Sequence, residues 1–182
     1  MRVISRLILL IAALAAAATT ATATVGAANA AWSVEPGKFV HTQELANGVL
    51  TVNVTNTTGN AAGCPLSIYP GVDIGPAQEM AEAMNAYYAG TGTTAAVSAA
   101  RAKFSASQFT DLLADVQIPA DQTQVATWDS GRADTSYTVF QNCAASDNAG
   151  TVVWGAQAYL VSGTGAPTGM GSGSLGSLFT GS

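Results

Sequence analysis

The sequence predicts a mainly β fold with a helical insert, an antiparallel β-sandwich carrying about three helices between its third and fourth strands. Three observations predict it. Apolar residues alternate with period two early and late in the 182-residue chain, polar turn sets separate those runs, and the middle switches to helical spacing. Strands on both sides of a helical stretch place the helices in a crossover between β elements.

The elements follow in order. "GKFVHTQEL" (37–45) is a weak strand suited to a sheet edge. In "ANGVLTVNVTNTTG", Leu50, Val52 and Val54 fall on one side and Thr51, Asn53 and Thr55 on the other, after an Asn47-Gly48 turn. "CPLSIYPG" alternates Leu66 and Ile68 with Ser67 and Tyr69 and closes on Pro70-Gly71. The insert spans about 76–117. Pro76 suits a first helical position, Met80, Ala83, Met84 and Tyr87 recur at helical spacing, and Gly90 supplies a stop. Val97, Ala100 and Phe104 indicate a second helix. Ser105 and Gln108 form a capping pattern ahead of Phe109, Leu112, Leu113 and Val116, a third helix ending near Pro119. Strand signals return in "TQVATWDSG", "TSYTVFQNCA" and "GTVVWGAQAYLVSG", separated by Asp129-Ser130-Gly131 and Asp147-Asn148-Ala149-Gly150 turns.

The ends set the compartment. Arg2 and Arg6, the uncharged run "LILLIAALAAAA" and the A-x-A pattern at Ala28 and Ala30 are laid out as a secretory signal peptide over residues 1–30. The apolar run falls short of the roughly 20 residues a bilayer span requires. Cleavage is expected after Ala30, with Ala23 the alternative. It leaves a domain over 31–162, and the uncharged Gly/Ser-rich stretch 163–182 is expected to be a flexible tail. Leu175, Leu178 and Phe179 are its apolar exceptions. The remaining chain has four basic residues against eleven acids, a net charge of −7. That balance argues against nucleic acid as a partner, because phosphate neutralisation needs the Lys and Arg this chain lacks. No second long apolar run follows, so no transmembrane segment is expected in the mature chain, which is placed as secreted or envelope-associated.

"LTVNVTNTTGNAAGCPLSIYP" and "ATWDSGRADTSYTVFQNC" together resemble immunoglobulin-like sandwich domains of exported actinobacterial envelope proteins. The Gly/Ser/Leu tail is similar to theirs as well. The resemblance implies a binding or structural module without catalytic activity, with an envelope protein or a glycan as partner, and a fold of this kind does not by itself carry a function. Two departures stand out: Cys64 opens a strand rather than lying within it, and Tyr137 precedes Cys143 by six positions. In such a sandwich the third and sixth strands are antiparallel neighbours, so Cys64 and Cys143 lie at one end and can form a cross-strand disulfide. Two cysteines in an exported chain favour pairing on compartment grounds too.

Chemistry-bearing patterns are sparse. His41 is the only histidine, and a solvent-facing strand position suits it; the alternative function is a secreted hydrolase joining His41 to a carboxylate such as Asp73 or Glu79. Glu79/Glu82 and Asp111/Asp115 have helical spacing but read as solvated helix faces. No metal-ligand motif is present and no cofactor is expected; "GSGSLG" (171–176) matches a dinucleotide fingerprint in form but has neither strand nor helix around it. The remaining lead is aromatic: Tyr87 and Tyr88 are adjacent on the first helix, and with Tyr69 they are the candidate binding surface.

Overall fold

The computed structural model describes residues 31–104, 110–113, 116–147 and 149–163. The leader 1–30, the capping residues Ser105 and Gln108, Asp115 and the tail beyond Gly163 lie outside the described residues. Ten strands and two α-helices are described: β1 (Trp32–Val34), β2 (Phe39–Ala46), β3 (Val49–Asn56), β4 (Ala62–Gly63), β5 (Leu66–Pro70), α1 (Ile74–Tyr88), α2 (Thr94–Phe104), β6 (Thr110–Leu113), β7 (Gln117–Ile118), β8 (Thr123–Asp129), β9 (Ser136–Ser146) and β10 (Val152–Ser162).

The chain is mainly β, and its strands form two sheets. One has the order β2-β3-β8, all antiparallel. Its first hairpin turns on Asn47 and Gly48, whose φ values of 52° and 84° supply the two positive dihedrals that a twisted two-residue turn requires. The other sheet runs β1-β10-β9-β4-β7, with β5 also on β9 and β6 on β5. Ala62 faces Ala145 and Leu66 faces Gln141, so residues 62–70 follow β9 in a single register. Pro65 interrupts that line by lacking an N–H, without shifting it.

Leu50, Val52 and Val54 of β3 meet Val139, Cys143, Tyr159 and Val161 of the β9–β10 hairpin in one core, completed by Cys64, Leu66 and Ile68. Period-two alternation on each strand builds this layer. The opposite face of the same hairpin carries Phe140, Trp154 and Ala156, packed against Ala77, Met80 and Ala81 of α1 and Ala100 and Phe104 of α2. The hairpin is therefore buried on both faces, between a three-stranded sheet and a helical layer. Alanines at the contact let α1 approach closely enough for Asn85 to reach the strand. Its Nδ2 donates to the Ala156 carbonyl and its Oδ1 accepts from the Ala156 N–H, both at 2.9 Å. Those are the groups that Ala156 presents on the side away from β9, beyond the end of β1.

The third helix expected after Ser105 is not what forms. Thr110–Leu113 is a strand on β5, and Gln117–Ile118 is a short strand on β4. Phe109, Leu112, Leu113 and Val116 have helical spacing, but the register shifts between Leu66 and Ser67, so Leu112 is an extra residue on β6. Such a bulge lets the adjacent Leu112 and Leu113 both pack against the inter-sheet core, which a regular strand forbids. Ladder hydrogen bonds and that burial override the local periodicity.

Candidate functional site

The cystine is the first predicted pair to place. Cys64 and Cys143 are bonded, with Cα atoms 4.2 Å apart. They are directly opposed in the register that runs from Ala62/Ala145 to Leu66/Gln141. The Cys64 N–H turns away from β9 to the Val116 carbonyl at 3.3 Å, which makes the cysteines a non-hydrogen-bonded pair, the closer of the two antiparallel spacings. Both are fully buried. Cys143 lies inside β9 rather than at its end, because that strand runs on to Ser146.

His41 does not face solvent. It sits on the inner side of β2, stacked on Tyr159 with ring centroids 3.7 Å apart and planes 7° from parallel. Its Nδ1 is buried without a hydrogen-bond partner among the described residues, and burial lowers its pKa below the ordinary 6.5. Tyr159 donates to Gln141 Oε1 at 3.2 Å, and Gln141 Nε2 donates to the Phe39 carbonyl at 3.0 Å, so the polar groups beside the imidazole are committed to each other. Burial pushes the Tyr159 phenol up.

The carboxylates considered with His41 lie elsewhere. Glu79 is on α1, across the β9–β10 hairpin from His41, and pairs with Lys103 of α2. Asp73 precedes α1 on that same helical side. Asp111 is on a strand, where it accepts from Ser67 Oγ at 3.2 Å, not on a helix with Asp115. Among the described residues no group of three or more His, Cys, Asp or Glu side chains is placed to hold a metal ion, and no helix is long and apolar enough to cross a membrane. A cleft of about 490 Å³ opens between the edges of β2 and β10, lined by Gln43–Leu45 and Leu160–Gly163; Glu44 is its only titratable side chain.

The three tyrosines divide. Tyr69 lies near the N-terminal end of α1, against Phe104 with centroids 4.2 Å apart, and burial together with Asp111 and Asp73 pushes its pKa up to about 12. Tyr87 and Tyr88 are at the other end of α1, about 20 Å away at the helical rise, so the three do not make one surface. Tyr88 belongs instead to a second cluster. Its ring lies between Trp32 and Trp154, at centroid distances of 4.3 and 4.4 Å, while Tyr87 meets it edge-on at 5.3 Å. Trp32 is 42% exposed. Trp154 is buried, and its Nε1–H has no acceptor among the described residues. Burial and the Tyr87 phenol raise the Tyr88 pKa, and the nearby Arg101 charge opposes them.

Trp32 and Trp154 escaped the sequence reading. For Trp154 a signal existed: alternation along β10 puts it on one face with Ala156, opposite Val153, Tyr159 and Val161. Trp32 lies on a three-residue strand with no readable period, paired parallel to β10 at a separation of about 120 residues.

No protein-family model and no curated protein matches this chain. Among solved structures it is similar to a Salmonella alpha-2-macroglobulin, with 11% identity and a TM-score of 0.32 over 70% of this chain and 10% of that one. It is also similar to Bacteroides uniformis beta-glucuronidase 2, with 11% identity and a TM-score of 0.27 over 69% of this chain and 13% of that one. The chain thus spans only about a tenth of the length of either.

Proposed function

We propose that this chain is an exported binding module of the cell envelope, an immunoglobulin-like domain over 31–162 released from its leader by cleavage after Ala30. The observation that carries the reading is the Trp32 indole, two-fifths exposed and held in place by Tyr88, itself backed by Trp154. A large aromatic ring fixed at a surface costs folding stability unless it meets a partner, and rigid aromatics contribute most to recognition because little side-chain entropy remains to be lost. Two further facts support the setting. A buried cystine suits an oxidising compartment. Val152 N–H already bonds the Ala31 carbonyl at 2.8 Å, so a chain starting at Ala31 keeps every pairing of β1.

Fractionating producing cells into wall, membrane and medium tests this reading. The wild-type mature protein is expected in the envelope fraction, with Trp32→Ala shifted to the medium at unchanged fold. Equal distribution of the two proteins sinks it. The hydrolase alternative gains no observation, since His41 and the carboxylates Asp73 and Glu79 lie on opposite sides of the β9–β10 hairpin.

A further inference from the structure

We infer that the outer face of Trp32 is a sugar-stacking platform, and that the ligand is a glycan of β-linked, equatorially substituted pyranoses. This inference rests on the envelope-binding reading and narrows its ligand. One face of the indole leans on Tyr88, tilted by 31°, and Trp154 meets the same indole edge-on at 6.1 Å. Both neighbours are ring contacts within the protein, so the remaining exposed surface is presented in a fixed orientation. A pyranose whose substituents are all equatorial offers a flat face of C–H groups, electropositive at hydrogen, which matches the negative π-face of an indole. Pre-orientation means that stacking costs little ordering entropy.

The polar groups around the platform fit the same ligand. The hydroxyls of Tyr87 and Tyr88 and the guanidinium of Arg101, close enough to act on the Tyr88 phenol, edge the platform on the helical side. Equatorial hydroxyls radiate outward from a stacked sugar ring, where donors and acceptors at the rim of a platform meet them. Behind the indole, the Trp154 Nε1–H is a buried donor left without an acceptor, a polar group that a sugar hydroxyl entering the Trp32–Tyr88 seam would satisfy. A purely structural aromatic cluster requires neither the exposed face nor the spare donor.

The test titrates mature protein 31–182 with cellohexaose and with chitohexaose, reading tryptophan fluorescence and heat. At least one hexasaccharide is expected to bind. Trp32→Ala should weaken that binding by about tenfold or more, the size of one lost aromatic contact. Trp32→Phe keeps an aromatic face and should retain most of the affinity, which guards against a fold defect in the alanine variant. Trp128→Phe, in the core on the far side of the β9–β10 hairpin, should leave binding unchanged. Binding that is equal in wild type and Trp32→Ala overturns the platform. Absence of binding to both sugars, with envelope association still dependent on Trp32, overturns the glycan and leaves the envelope reading standing. Envelope association indifferent to Trp32 removes both.

Discussion

The β9–β10 hairpin is covered on its two faces by different chemistry. Toward the β2-β3-β8 sheet it meets Leu50, Val52 and Val54, a cystine, and buried polar side chains whose hydrogen bonds are made. Toward the helices it meets alanines and rings, with a half-exposed indole and an unsatisfied Trp154 donor at the margin. The first face is stapled and closely satisfied, as a folding core must be. The second is held by small contacts and leaves aromatic surface over, where recognition can be placed without disturbing the core.

Breaking the staple is expected to have the largest effect. Cys64 and Cys143 are 79 positions apart, and cross-linking so long a loop stabilises by about 4–5 kcal/mol in the chain-entropy model. Replacing both by Ala should lower the denaturant midpoint accordingly. If the inter-sheet core carries the fold, the loss appears as one cooperative transition. A change near zero would show that the reference chain is already constrained without the bond.

The next effect tests whether that face depends on satisfied polar groups. Asn56 is fully buried; its Nδ2 lies 2.8–3.2 Å from the carbonyls of Asn60, Ile118 and Pro119, and its Oδ1 accepts from the N–H and hydroxyl of Thr58. Asn56→Ala should cost about 3 kcal/mol, since several buried groups lose partners at once. Asn56→Asp should be worse at neutral pH, because it turns a carboxylate toward three carbonyls. Urea unfolding of the two variants decides it, and an Asp variant more stable than the Ala one contradicts the hydrogen-bond assignment.

On the helical face the matching contact is lighter. Asn85 joins α1 to β10 through two bonds to Ala156, half-buried rather than sealed. Asn85→Ala should cost about 1–2 kcal/mol. It should also speed amide hydrogen exchange in α1 and α2 ahead of β3 and β9, the order expected if the helical layer opens as a separate unit. Uniform acceleration across both faces would merge them into one.

The same asymmetry governs what could be read before the structure. β3, β5, β9 and β10 alternate cleanly because one face of each is packed in the inter-sheet core, and the cystine follows from their antiparallel order. β6 could not be read, because a bulge at Leu112 places neighbouring leucines on one side and copies helical spacing. β1 is too short to show a period and pairs with a strand at the far end of the chain, so the platform residue Trp32 carried no signal. His41 was misjudged because Thr42, Gln43 and Glu44 are all exposed on the edge strand β2, which blurs its phase.

His41 supplies the smallest effect and the one that best isolates the inter-sheet face. Its imidazole is half-buried against Tyr159, with Nδ1 lacking a partner, and burial holds its pKa below 6.5 in the folded chain. As pH falls through 6.5 the unfolded chain takes up a proton that the folded chain refuses, so the unfolded state binds more protons and stability declines. The decline ends once pH drops below the folded-state value, where both states are protonated. With one histidine in the chain, this decline is assigned to a single group. His41→Phe keeps a flat ring on Tyr159 and removes the titration. Its stability should stay level between pH 6.5 and the onset of carboxylate protonation, while the wild type declines. Parallel curves for the two proteins would show that the imidazole titrates as freely in the folded chain as in the unfolded one, and that this edge of the core is open to water.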